Sequence, residues 1–306
     1  MRTKDIVLPN GFMTEAGELV RNLTIRKLGG PEEDLLRDKE ELKKGGVLFQ
    51  ILKNVTVAMG SITDPKKIAK CYDNDFLLAD LTYVLVELRS WGIDPDYVFE
   101  HQCPACDKIG KHVINLGTLR VDNQKDKDRG LKKYLGLAKD APKPFGPNGE
   151  ILPEKDWSYG DVPFTFRPLF SGDQKMLEAI KQDYPKERAT RELYLQIIDY
   201  DGYELDVASL RLFDSTTRGQ MREAIDASSG GIDTEIIMTC RKCSHEYKSN
   251  IPVEIKHFFF RAGVTPETKR ATPFLEGGLT LTSWLSASAG PPPKSEPSTL
   301  TSDSST

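Results

Sequence analysis

Two short stretches of apolar and polar residues near the start of the chain are typical of extended strands. Residues 7–12 form the first, and residues 19–28, with Val20, Leu23 and Ile25, form the second. Asn10 and Gly11 are typical of tight turns, so the pattern predicts that the first strand ends there. Residues 1–30 are therefore expected to form a small β element.

Helical periodicity takes over after this element. Pro31 and the acidic residues that follow it favour a helix start, because proline fits the first turn and carboxylates are stabilised near a helix N-terminus. Apolar residues at spacings of three and four predict one amphipathic helix over residues 47–59, closed by Gly60. The broadest apolar helical face covers residues 73–90. We therefore predict a mainly helical domain over residues 31–100.

The middle of the chain is predicted to be a large insertion over residues 122–232. Residues 122–140 alternate acidic and basic side chains. Residues 141–168 are rich in proline, glycine and aromatic residues, which predicts a long irregular excursion. Helices are predicted over residues 173–182 and 212–228, so the insertion is expected to contain loops and helices.

Two Cys-x-x-Cys pairs flank this insertion. The four cysteines are Cys103, Cys106, Cys240 and Cys243. Each pair follows a short extended stretch and precedes another, so each is predicted to lie at the tip of a β-hairpin, which we call a knuckle. The first knuckle is expected over residues 101–121 and the second over residues 233–262.

Four thiolates from two facing knuckles suit one zinc ion, because zinc binds sulfur strongly and imposes no electronic geometry. A zinc ion bound by four thiolates has no open coordination position, so it is expected to hold chain segments together and not to activate water. The sequence therefore predicts a structural Zn²⁺ cofactor in a zinc ribbon. The fold class is α+β, with a helical N-terminal part, two knuckle hairpins and a large insertion between them.

Other uses of these cysteines stay open at this point. An iron–sulfur cluster, redox chemistry and buried free thiols are the alternatives. A thioredoxin-like role for Cys103 and Cys106 is disfavoured, because no βαβ unit surrounds them and a second pair is present. Cys71 stands alone and is expected to act as a small apolar residue. Histidines could flank the ligands, although four cysteines already complete the set. They are His101, His112, His245 and His257.

Motifs of common catalytic sites are missing from the sequence. There is no P-loop, no His-Glu-x-x-His, no Gly-x-Ser-x-Gly and no dinucleotide fingerprint. Asp199 and Asp201 precede Gly202, a pattern more typical of a turn than of a metal or acid–base site. We therefore predict no catalytic residues, no small-molecule substrate and no enzymatic function.

Composition and charge narrow the possible partners. The chain has 306 residues, of which 38% are hydrophobic and 29% charged, and its formal net charge is −4. This acidic balance disfavours nucleic acid as a partner, so a zinc-ribbon nucleic-acid-binding protein is kept as the alternative function and a cysteine redox enzyme as a further one. No apolar run reaches the roughly 20 residues of a membrane span, and no signal peptide is recognised, so no membrane insertion is expected.

The C-terminal extension over residues 263–306 is predicted to be disordered from about residue 286. Serine, threonine and proline dominate this part of the sequence. Such a composition supplies too little apolar surface to offset the entropy of ordering the chain.

Several short motifs follow one another in the first 120 residues. They are Val7-Leu-Pro-Asn-Gly, Leu23-Thr-Ile-Arg26, Pro31-Glu-Glu-Asp-Leu-Leu36, Asp75-Phe-Leu-Leu78, Leu88-Arg-Ser-Trp-Gly92 and Cys103-Pro-Ala-Cys106. In this order they resemble the tail assembly and baseplate-hub proteins of contractile-tailed bacteriophages. The resemblance does not extend to the segment between Cys106 and Cys240 or to the C-terminal extension.

The resemblance implies a structural or assembly component of a contractile tail baseplate, at its central hub, in a phage or a related injection machine. It implies that the partners are other baseplate and tail proteins. It also implies a location in the virion tail, with assembly in the cytoplasm of the host bacterium. Both a permanent particle component and an assembly factor that leaves are compatible with it.

Overall fold

Helices and strands are mixed along the chain in the computed structural model, which confirms the mixed class expected from the sequence. The structure describes residues 2–14, 16–38, 46–122, 131–252 and 258–259. The predicted C-terminal extension lies outside the described residues. No described helix has the length and apolar character needed to cross a membrane.

The N-terminal part of the chain forms a three-stranded antiparallel sheet covered by helices. The strands lie in the order β1 (Thr3–Met13), β2 (Leu19–Arg26) and β3 (Thr56–Met59). The helices are α1 (Gly30–Arg37), α2 (Val47–Val55), α3 (Pro65–Lys70) and α4 (Leu78–Gly92), with a π-helical turn (Cys71–Asp75) before α4. Their apolar faces and the inner face of the sheet form one core.

The prediction of a turn at Asn10 and Gly11 is wrong. Strand β1 continues through these residues to Met13, and its pairing with β2 is irregular between Val7 and Phe12. The backbone groups that leave the ladder there are bound by the carboxylate of Asp80, on α4. The local sequence favours a turn at these two residues. The buried carboxylate of Asp80, which is far away in the sequence, stabilises an irregular part of a strand there instead.

Two predicted helices differ from the observed ones. The helix expected over residues 47–59 ends at Val55, and the next four residues form β3, because they pair with β2 and carry the β-branched Thr56. The helix expected from residue 73 begins at Leu78 instead. The chain is extended at Phe76, whose backbone N–H and carbonyl bond to Ser171 of the insertion.

Replacing Gly11 by alanine is expected to lower the free energy of unfolding by about 3 kcal/mol. The added Cβ would lie 2.5 Å from the carbonyl oxygen of Val20, and φ of Gly11 is 77°, in the left-handed region. Gly17 has a φ of 78° but open space around its Cβ, so Gly17→Ala is the matched control, with an expected loss of about 1 kcal/mol. Urea denaturation measures both, and equal losses would contradict the steric argument.

The insertion has a core of its own, built on a second three-stranded antiparallel sheet. Its strands lie in the order β7 (Tyr134–Lys143), β8 (Ser158–Phe166) and β9 (Ile197–Tyr200). Its helices are α5 (Gln174–Asp183), α6 (Arg188–Tyr194), α7 (Val207–Leu212) and α8 (Ser215–Ser229). The two helices predicted at residues 173–182 and 212–228 are thus confirmed as α5 and α8, within a few residues at their ends.

The prediction of a long irregular excursion over residues 141–168 is wrong in its second half and at its start. Val162, Phe164 and Phe166 alternate with less buried residues along β8 and are fully or almost fully buried in the insertion core. Proline and glycine obscured this alternation in the sequence. Burial of the aromatic side chains under the helices favours a strand over an irregular segment here.

The insertion leaves and rejoins the N-terminal part at one place. Strand β6 (Val121–Asp122) pairs antiparallel with β10 (Gly231–Ile232), so the two connections run side by side. A second contact joins the N–H of Leu78 to the carbonyl oxygen of Leu169, at 3.1 Å. The chain segments before and after the insertion are therefore brought next to each other.

Candidate metal centre

Two β-hairpins carry the cysteine pairs, as the sequence predicts. The strands of the first are β4 (Asp96–Gln102) and β5 (Ile109–Asn115), and those of the second are β11 (Glu235–Thr239) and β12 (Glu246–Asn250). Cys103 directly follows β4, and Cys240 directly follows β11. The second strand begins at the same distance along the chain from the first cysteine in both hairpins.

The two knuckles share one backbone conformation. The N–H of Asp107 donates to the carbonyl of Cys103 at 2.9 Å, and the N–H of Ser244 donates to the carbonyl of Cys240 at 2.8 Å. Asp107 and Ser244 have left-handed φ angles of 56° and 57°. The same left-handed angle at a non-glycine residue of each knuckle shows that the two cysteine pairs share one tight turn.

The four cysteine Sγ atoms form one group, and all of them lie within 4.8 Å of one another. Two contacts cross between the knuckles: Cys103 to Cys243 at 3.7 Å and Cys106 to Cys240 at 3.7 Å. None of the four forms a disulfide. The fold thus brings together the four cysteines that the sequence singles out, as a group that could hold a metal ion.

The electrostatic surroundings of the four cysteines favour ionisation of one thiol but disfavour ionisation of several at once. The backbone N–H of Lys242 points at the Sγ of Cys240 at 3.4 Å, and it lowers the pKa of Cys240 to about 6. The backbone N–H of His245 has the largest single effect and lowers the pKa of Cys243, but the three other sulfurs and burial together outweigh it and raise the pKa to about 12. A cation between the sulfurs would remove this mutual repulsion.

His101 joins the two hairpins beside the cysteines. Its Nε2 lies 2.8 Å from the Oγ of Ser249, and its Nδ1 lies 3.4 Å from the hydroxyl of Tyr247. Burial lowers the pKa of His101. The sequence grouped this histidine with three others that could flank the ligands, and the fold is what distinguishes it. His257, another of them, lies outside the described residues.

An aromatic contact behind the cysteines ties the second hairpin to the first. The hydroxyl of Tyr97 donates to the carbonyl of Pro252 at 2.7 Å, and its ring lies 5.6 Å from Phe99 and 5.1 Å from Phe258. Met238 and these aromatic residues belong to the core of the N-terminal part. The cysteine group therefore lies where two hairpins that are far apart in the sequence meet in one core.

Other candidates from the sequence lie elsewhere. Cys71 is in the π-helical turn and is not one of the grouped cysteines. Asp199 pairs with Thr165 in the insertion sheet, and Asp201 has a left-handed φ of 53° in the turn that follows β9. Among the described residues, no other group of three or more histidines, cysteines and acids could hold a metal ion.

Comparison with known proteins identifies no relative of the chain. A scan against protein-family models, a search of curated proteins and a search of solved structures each find no match for the chain.

Proposed function

We propose that the protein is a structural or assembly component of a contractile tail baseplate, in the central hub region of a phage or a related injection machine, and that a structural zinc ion holds its chain together. The order of the N-terminal motifs supports the first part. The geometry of the four sulfur atoms supports the second.

Motif residues lie where separate elements of the fold meet. Asn10 and Gly11 donate their N–H groups to Asp80 at 3.0 and 2.7 Å, which links β1 to α4. Arg26 binds both carboxylate oxygens of Glu32 at 2.9 and 2.7 Å, which links β2 to α1. Because these motif residues join different elements of the fold, a protein that uses this fold is expected to carry the motifs together.

The last two motifs before the cysteines take similar positions. Arg89 is buried, and its guanidinium donates to the carbonyl oxygens of Asp94 and Asp96, where α4 leads into β4. Phe76 and Leu78 bond to the insertion through their backbones. The part of the chain that carries the resemblance therefore works as one framework, which suits a protein that acts by assembly.

Zinc fits the sulfur group better than the alternative cofactor does. A tetrahedral ion with Zn–S bonds of about 2.3 Å separates its sulfurs by about 3.8 Å. Two sulfur pairs between the knuckles are 3.7 Å apart, and no pair exceeds 4.8 Å. An iron–sulfur cluster places several iron atoms between its cysteines and needs a wider group. Four thiolates leave the ion no open position for catalysis.

Two measurements on infected or expressing cells test the proposal. Mass spectrometry of purified tail particles is expected to detect the chain, and electron microscopy to place it in the baseplate. If the chain is present only in assembly intermediates, the assembly-factor form of the proposal holds. Absence from both particles and intermediates would contradict the proposal.

The nucleic-acid alternative has its own test. Filter binding of the purified protein to DNA and RNA is expected to show no affinity above background at physiological salt. Clear binding that weakens steeply as salt increases would favour a zinc-ribbon nucleic-acid-binding protein instead, because phosphate contacts release counterions. Metal analysis of the same sample separates zinc from iron.

A further inference from the structure

Strand β7 lies at an edge of the insertion sheet, since β8 pairs with it on one side and no described strand pairs with it on the other. Leu135 and Leu137 alternate with residues that face the core, and 82% and 48% of their surface is exposed. Proteins usually cover, charge or pair an apolar strand edge, because such an edge binds other strands. This apolar edge is therefore expected to have an occupant.

The backbone of Leu137 points to the open edge. Its partner in β8 is Pro163, which has no N–H and whose carbonyl accepts the N–H of Asp201 on the far side of β8, at 2.9 Å. The N–H and C=O of a residue in an antiparallel strand point to the same side, so no hydrogen bond joins Leu137 to Pro163. By the same alternation, the backbones of Leu135 and Lys139 also face the edge.

A side chain from α8 closes the edge at Lys139. The Oε1 of Gln220 accepts the N–H of Lys139 at 2.6 Å, and its Nε2 donates to the Lys139 carbonyl at 3.2 Å. This amide takes the place that a neighbouring strand would need. The backbone groups of Leu135 and Leu137 have no such partner among the described residues. The occupant must therefore pair with these two leucines and leave the edge before Lys139.

One stretch of the C-terminal extension has the pattern that this edge requires. Leu279 and Leu281 alternate with threonines, and two glycines precede Leu279. Residues 277–285 carry no charged side chain, and no other part of residues 260–306 has leucines at alternate positions. Leucine and threonine suit a half-buried strand, and glycine allows a sharp change of chain direction.

We propose that residues 279–283 pair with β7 of the same chain as an antiparallel fourth strand of the insertion sheet. Leu279 lies opposite Leu137, and Leu281 lies opposite Leu135. Each opposed pair exchanges two backbone hydrogen bonds, and the four leucine side chains meet on the exposed face of the sheet.

Gln220 selects this register and direction. It places Gly277 and Gly278 where the amide blocks the edge, so the chain turns away at the residues best able to do so. A shift of two residues would place Leu279 opposite Lys139, where Gln220 already holds the backbone. A parallel strand would reach the block after its leucines, where the sequence has no glycine.

A segment of the same chain suits this short edge better than a separate protein does. The pairing is intramolecular, with an effective concentration on the order of a millimolar, so an area far below the roughly 800 Å² per partner of stable complexes is enough. Phe259 is buried in the N-terminal core, 20 residues before Leu279. These 20 residues can span about 66 Å, whereas a compact domain of this size has a radius of gyration of about 18 Å. The pairing requires neither the metal nor the proposed baseplate function.

Amide hydrogen exchange of the full chain tests the pairing. The N–H groups of Leu135 and Leu137 should exchange at least about tenfold faster in the Leu281→Pro variant than in the unmodified chain, because proline removes a donor from the added strand. Leu300→Pro makes the same change elsewhere in the extension and should leave both rates unchanged. The N–H of Gly136 faces β8, so its slow exchange in every variant shows that the sheet is intact.

Two results would overturn the proposal. Exchange of both leucine amides at the rate of an unfolded peptide in the unmodified chain would show that nothing covers the edge. Slow exchange that Leu281→Pro leaves unchanged would show that a different segment covers it. The rates should also be independent of protein concentration between about 10 and 500 μM, since protection that increases with concentration would assign the edge to another copy of the chain.

Discussion

Cys240→Ser is expected to release the bound metal and to lower the free energy of unfolding by at least about 4 kcal/mol. The Sγ of Cys240 lies 3.7 Å from that of Cys106 in the other knuckle, so its loss opens the group from one side. Cys103→Ser should have the same effect, because Cys103 makes the matching contact with Cys243. Metal content per chain and thermal melts of both variants measure these losses.

Cys71→Ser is the control for the loss of a thiol as such. Cys71 is partly buried and lies outside the sulfur group, so this variant should keep its full metal content. Adding a chelator to the unmodified protein should reproduce the melting temperature of the Cys240 variant, because the metal contributes to folding in the same way. If one of the two ligand variants melted like the unmodified protein, a shared site would be ruled out.

Asp80→Ala is expected to cost about 4 kcal/mol of stability. The Asp80 side chain is almost fully buried and accepts the backbone N–H groups of Asn10 and Gly11 and the side-chain amide of Asn10. Alanine would leave these buried donors without an acceptor, at about 1–3 kcal/mol for each. Chemical denaturation at pH 7 measures the loss.

Asp80→Asn tests the charge of the same residue through its pH dependence. Burial outweighs the hydrogen bonds from Asn10 and Gly11 and raises the pKa of Asp80 from 3.8 to about 6. The folded state therefore holds this proton more tightly than the unfolded state does. The contribution of Asp80 to stability is complete below pH 4 and decreases by about 3 kcal/mol as the pH rises through 6.

Asparagine does not titrate, so the stability of the unmodified protein relative to the Asp80→Asn variant should increase as the pH falls from 7 to 4.5. Denaturation curves of both proteins at several pH values measure this difference. Loss of metal at low pH affects both proteins equally and therefore cancels in the difference between their stabilities. A difference that stays constant over this range would show that burial does not hold a proton on Asp80.

The cysteine hairpins could be predicted because their signals are local. A Cys-x-x-Cys pair needs a tight turn, and apolar stretches on both sides favour strands, so the knuckle tips follow from a few residues. Helices α5 and α8 were predictable for a similar reason, since their apolar faces repeat at helical spacing. These elements depend little on what lies far away in the sequence.

The elements that were missed depend on distant partners. Strand β3 forms because β2 offers a free edge, although the same residues continue the helical pattern of α2. Asn10 and Gly11 remain in β1 because Asp80 accepts their N–H groups. Propensity is a weak preference in both places, and tertiary contacts override it.

By itself the sequence determined which residue types are available to bind a metal and the short spacing of each pair, because ligand chemistry depends on residue type and on a few bonds of chain. Only the tertiary structure decided that the two pairs meet. That outcome depends on how the insertion leaves and returns at β6 and β10, and on the core that Tyr97 and Phe258 share behind the sulfurs. Contacts between distant segments carry no local pattern in the sequence.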